Sequence, residues 1–170
     1  NTGMAGSYGG ITRSGVSGSY TYSVIAGRGS KPVNFVSFYD SLRFANWLHN
    51  GQPTGAQGAG TTETGAYTFT GAGSVGARNV GALAFLPTEN ERYKAAYYDP
   101  TSAGFFNYPT GSNTAPSSDA PPAGANSANY YDGTFALTGS ATFVFSFNYL
   151  TDVGAYASAG VSGAHLNPAV

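Results

Sequence analysis

No cysteine occurs in the 170 residues. Disulfide bridges, zinc–thiolate sites, iron–sulfur clusters and cysteine nucleophiles are therefore excluded within them. Charge is the second scarcity. Asp, Glu, Lys and Arg make up 9% of the chain, against about 25% in an ordinary soluble domain. The net charge of −1 creates no long-range field of either sign, which argues against nucleic acid or an anionic membrane as partner. Histidine occurs only at His49 and His165, too few for a three-ligand catalytic metal site built on imidazole. No run approaches the ~18–20 consecutive apolar residues of a membrane span. The opening "NTGMAGSYGG" has neither the basic region nor the apolar core of a secretory signal. The chain is thus expected to start inside a larger unit, or after a removed signal.

What is present is aromatic and neutral. Apolar residues reach 41% and aromatics 15%, with 13 Tyr and 11 Phe beside 25 Gly, which is not a disordered composition. The length suits one domain over residues 1–170 with a real core. Its surface must be covered largely by Gly and neutral polar groups, a composition that leans toward an exported, extracellular or cell-surface protein.

Periodicity predicts a strand at "SYTYSVI", with Tyr20, Tyr22 and Val24 on one face. A helix follows "PVNFV". Ser37 and Asp40 form an S-x-x-D capping box, and Phe38, Leu42, Ala45 and Leu48 recur at helical spacing, flanked by Phe44 and Trp47. Gly51 supplies a left-handed cap and Pro53 blocks continuation. Strands are expected at "AYTFT" and "LAFL", joined by the glycine-rich "GAGSVGARNVGA". A second helix, "LPTENERYKAAYYDP", opens on a Thr88–Glu91 capping box, carries Tyr93, Ala96 and Tyr97 as its stripe, and ends at Asp99-Pro100. Residues 101–129 are a Pro/Ser/Ala/Asn-rich loop. "ATFVFSFNY" alternates strictly, with Phe143, Phe145, Phe147 and Tyr149 facing one way, and predicts a further strand.

Few residues invite chemistry. Asp40 and Glu91 are accounted for as caps, and His49 as an imidazole in the last helical turn, near the negative end of the dipole. "GAGSVG" lacks the Lys-Ser/Thr of a phosphate loop and reads as a hairpin connection. No Ser-His-Asp set is singled out. The pairs Tyr97-Tyr98, Tyr130-Tyr131 and Phe105-Phe106 have two readings. They fill core between irregular loops, or they form an adaptable binding surface among Ser, Asn and Gly. The terminal "SGAHLNPAV" looks like one Asn-Pro-Ala channel signature, but a channel needs several membrane helices and a second copy of the motif, so the match reads as chance.

"PVNFVSFYDSLRFANWLHNG" and "FLPTENERYKAAYYDP", with "GGITRSG", "TTETGAYTFTGA" and "ANYYDGTF", resemble the formylglycine-generating (sulfatase-modifying factor) family. The likeness runs from about Gly9 to Tyr156. It implies an α+β, C-type-lectin-like fold, loop-rich, with two main helices and short antiparallel strands. It also implies a calcium site in which Asn129 contributes its side chain and Tyr130 its carbonyl, oxygen donors suited to a hard cation. The family's acidic partner to that turn has no counterpart here, since Phe143, Val144 and Phe145 occupy the region. Arg92 stands where the family has a Trp, so that face must be exposed or paired. The family's closing "G-N-V-x-E-W" and "G-F-R" elements and its copper-binding cysteine pair do not occur in these residues.

The expectation is therefore a single domain of this fold, incomplete at one or both ends, with no catalytic residues and structural calcium as the one cofactor. It is expected outside the cell or on its surface, in binding or in self-assembly as a fibre or surface-layer subunit. Its partners would be copies of itself or an unidentified surface ligand, with no nucleic acid and no membrane span. The alternative is the front part of a metal-dependent oxidase or oxygenase of the family, separated from its catalytic half.

Overall fold

A computed structural model of the chain describes residues 3–6, 8–17, 19–71 and 73–156. Its elements run in the order β1 (Ile11–Ser14), β2 (Thr21–Val24), α1 (Phe38–His49), β3 (Phe69–Gly71), β4 (Ser74–Val75), α2 (Glu89–Tyr97), β5 (Tyr98–Asp99) and β6 (Gly104–Phe105), after a 3-10 turn at Gly3–Ala5. The strands form three separate antiparallel pairs, β1–β2, β3–β4 and β5–β6. The fold is α+β and loop-rich, with two helices and short antiparallel strands, as the sequence predicts. The chain divides into two compact units, one of Asn1–Met4 and Asn34–Thr88, the other of Ala5–Val33 and Glu89–Val170.

The first unit is organised by α1. Ser37 sits in extended backbone as N-cap, and its hydroxyl accepts the Asp40 N–H at 3.1 Å while the Asp40 carboxylate accepts the Ser37 N–H at 3.1 Å. At the other end Gly51 has φ +79°, the left-handed conformation that only glycine adopts without strain. One side of α1 buries Leu42 and Ala45 against Ala66 and Tyr67, with Tyr39, Phe69, Val75, Ala82 and Leu86 packed around them. The predicted stripe is only partly realised. Phe38 and Phe44 are 61% and 58% exposed, with Phe38 edge-on to Tyr39 and Phe44 stacked on Trp47. The inward face also holds Asn46, outside the predicted stripe, and this amide turns the neighbouring loop onto the helix.

Two predicted strands are absent. "LAFL" makes no ladder because side chains take its amides: Leu83 donates to His49 Nδ1 at 3.0 Å and Leu86 to the Tyr67 hydroxyl at 3.0 Å. "ATFVFSFNY" turns instead, with the Phe147 N–H bonded to the Val144 carbonyl and the Val144 N–H to the Tyr149 hydroxyl. Its rings stack on one another, Phe143 on Tyr149 at 5.1 Å. Alternation reports faces, not whether a partner strand exists to complete the hydrogen bonds.

In the second unit, Ala96 of α2 is buried, Arg92 is exposed, and Tyr93 stacks between Tyr97 and Phe105 at 4.8 and 5.0 Å. The segment 106–156 has no regular element and is held by side-chain and irregular backbone bonds, some local and some distant, such as the Val153 N–H to the Ser30 carbonyl at 2.8 Å. Among them, Ser117 pairs with Ser127, and Asn126 bonds the carbonyls of Thr114 and Ala115.

Candidate functional site

The loop face built from residues 117–149 gathers Asn129, Tyr130 and Tyr131 among the residues that sequence singled out for binding. Tyr97, Tyr98 and Phe105 lie on α2, β5 and β6, and Phe106 directly follows β6. Asn129 donates its side-chain N–H to the Tyr149 carbonyl at 2.8 Å, joining points twenty residues apart. The Tyr130 carbonyl accepts the Ser118 hydroxyl at 2.5 Å, and the Tyr130 hydroxyl donates to the Pro116 carbonyl at 2.7 Å. Asp132 accepts from both the amide and the hydroxyl of Thr134. Asn129 and Tyr130 thus close a loop together. The oxygens they offer a cation are neutral and are a minority of the roughly six to eight that calcium takes. Among the described residues no group of three or more His, Asp or Glu could hold a metal. A calcium ion at this turn would draw the rest of its shell from water or from other parts of the chain.

Above this turn lies a continuous set of rings. Phe135 contacts Tyr149 at 4.4 Å, Tyr131 at 4.9 Å and Phe143 at 5.8 Å. Phe143 meets Phe145 edge-on at 5.1 Å, Phe147 meets Tyr149 at 5.0 Å, and Tyr8 lies 6.3 Å from Phe145. Phe135, at the centre, was missed in sequence. The only signal for it was its place in "DGTF", directly after the turn. The paired aromatics divide between the two readings: Tyr97, Phe106 and Tyr130 are half-buried, whereas Tyr98, Phe105 and Tyr131 are exposed.

The first unit contains a second constellation that sequence reasoning did not find. Asn46 is fully buried. Its N–H groups donate to the carbonyls of Thr62 (2.8 Å) and Tyr67 (3.0 Å), and its oxygen accepts the Tyr67 N–H at 2.7 Å. Asn50, one turn on, bonds the carbonyls of Thr61 and Thr64 at 2.9 and 2.8 Å. Arg43 forks onto Glu63 at 2.6 and 3.1 Å and lies 4.3 Å from the centre of the Phe69 ring. The hydrogen bond from Arg43 holds the Glu63 carboxyl below its ordinary range, against the opposing effect of burial. The same pairing raises the Arg43 guanidinium. "TTETGAYT" is therefore the strap of α1, read by amides and a guanidinium at successive turns. The spacing Arg43, Asn46, Asn50 was the available signal. These groups are saturated by one another, which makes them structural.

The polar candidates on α1 each have a structural partner. Asp40 is the cap, and His49 Nδ1 accepts the Leu83 amide. Glu91 lies in the exposed first turn of α2. His165 and "SGAHLNPAV" fall outside the described residues. The two helix motifs, the strap between them and the "ANYYDGTF" turn are the parts that a family comparison can test. Residues 9–161 match the FGE-sulfatase family, described as the sulfatase-modifying factor enzyme 1-like domain.

The chain belongs to this family. No curated protein and no solved structure matches it. In this sulfatase-modifying factor enzyme 1-like domain, the first helix motif supplies the framework of the first unit, while the second helix motif and the aromatic loop face belong to the second. No helix among the described residues is long and apolar enough to cross a membrane.

Proposed function

We propose that this sulfatase-modifying factor-like chain is a non-catalytic exported or cell-surface domain that works in binding or structural self-assembly, as a fibre or surface-layer subunit. The observation that carries this reading is the ring face of residues 131–149. Phe145 is 70% exposed, Tyr131 54% and Phe143 50%. A contiguous apolar face of this kind marks an interaction surface, and covering each ring stabilises a contact by about 1.5–3 kcal/mol. The neutral surroundings favour copies of the same chain, because a net charge of −1 offers little repulsion. Asn129 and the Tyr130 carbonyl are proposed as structural calcium donors that steady the turn beneath the rings.

Electron microscopy of the native particle tests the assembly. A repeating polymer is the expected result, and a strictly monomeric particle would sink it. Family membership favours one other reading, the front part of a metal-dependent oxidase or oxygenase. Reading the gene past Val170 separates the two: metal-binding Cys or His motifs support the enzyme, and a stop codon or sorting tail supports the surface protein.

A further inference from the structure

The β1–β2 hairpin has two unlike faces. Its register pairs Ile11 with Val24, Thr12 with Ser23, Arg13 with Tyr22 and Ser14 with Thr21. Ile11, Arg13, Tyr22 and Val24 therefore share one face, and four hydroxyl residues share the other. The hydroxyl face is bonded to itself, Ser14 to Thr21 at 2.7 Å and Thr12 to the Ser23 carbonyl at 3.3 Å. On the opposite face Tyr22 and Val24 are 58% and 61% exposed. Tyr20 rests there beside Tyr22, with the Arg13 guanidinium 4.5 Å from its ring centre.

The backbone phase follows from one bond. The Ile25 N–H donates to the Gly10 carbonyl at 3.0 Å, so bonded pairs recur at Thr12–Ser23 and Ser14–Thr21. The N–H and C=O groups of Ile11, Arg13, Tyr22 and Val24 then point away from the hairpin. Among the described residues no third strand lies beside either edge. A two-stranded ribbon with an uncovered apolar face is marginal in water by itself, and an open edge is a template for another strand.

The two edges differ. β1 carries Arg13, and an antiparallel copy of β1 centred on Thr12 would set that guanidinium opposite Ile11 at both ends, a cation against an aliphatic chain. β2 carries no charge, and its edge complements itself. An antiparallel copy centred on Ser23 sets Tyr22 opposite Val24 at both ends. The outward N–H and C=O of those residues then close four hydrogen bonds, with an aromatic ring facing a β-branched side chain in each pair. We propose that the outer edge of β2 pairs with the same edge of a second copy of this chain, giving a four-stranded antiparallel sheet. This rests on the self-assembly reading and names one of its contacts. A two-fold pairing closes a dimer, so a longer polymer takes a further surface.

The test is a charge swap at the centre of the pairing, read by analytical ultracentrifugation of the full chain. Ser23→Lys and Ser23→Glu each place like charges opposite one another. Each alone is expected to dimerise about fivefold more weakly, or worse, and an equimolar mixture to recover the wild-type constant. Val24→Pro removes an outward N–H without touching the β1–β2 ladder, and should weaken the dimer by about tenfold. Matching circular dichroism spectra establish that the variants fold. A dimer unchanged in all three variants, or weakened with no recovery in the mixture, overturns the β2 contact and leaves self-assembly standing through another surface. A wild-type chain that stays monomeric overturns both.

Discussion

At Asn46 every polar hydrogen and the oxygen of one buried amide are used on the strap, and no second side chain duplicates them. Asn46→Ala leaves the Tyr67 N–H and two carbonyls without partners. We expect a loss of about 3 kcal/mol in urea-induced unfolding, the upper end for a single buried polar group. Gly65 depends on the same contact. Its φ is +152°, and a Cβ there would lie 3.1 Å from the Asn50 oxygen and 3.2 Å from that of Asn46. Gly65→Ala should therefore cost on the order of 1–3 kcal/mol by the same measurement. Glu63 adds a pH dependence. Its folded-state value is depressed, so the stability it contributes is present above the ordinary glutamate range and is lost as pH falls through the lowered folded value. Thermal melts of the wild type should decline more steeply on acidification than those of Glu63→Gln. Parallel curves would show that the ion pair contributes nothing.

The helices and strands were unequally legible. The α1 start was readable because capping is local: Ser37 and Asp40 lie three residues apart and each side chain bonds the other's backbone N–H. Ser37→Ala should cost about 1 kcal/mol, measured by chemical denaturation. The far end was readable for the same reason, through Gly51 and Pro53. Burial along α1 was less so, because its inward face is decided by the strap from a distant segment, which selects Asn46 and leaves Phe38 and Phe44 in solvent. Strands failed where their amides found other partners, Leu83 on His49 and Val144 on the Tyr149 hydroxyl. Phe145→Ser tests the exposed ring face directly. Its effect on unfolding should stay within about 0.5 kcal/mol, as for other solvent-facing side chains, while the native assembly weakens.

For the whole molecule, calcium and assembly are the properties to measure. If Asn129 and the Tyr130 carbonyl hold an ion, calcium raises Tm and a chelator lowers it, and Asn129→Ala abolishes the difference. No shift on adding chelator removes the site. The family, the two helices and the absence of thiol chemistry were written in the sequence by itself, because caps, helical spacing and residue identity act over a few positions. The strap on α1, the turn of "ATFVFSFNY", the exposure of its rings and the edge of β2, with no neighbouring strand among the described residues, were decided only by tertiary structure. Each depends on which distant donor reaches a backbone amide first, and on whether a neighbouring strand is there to receive it.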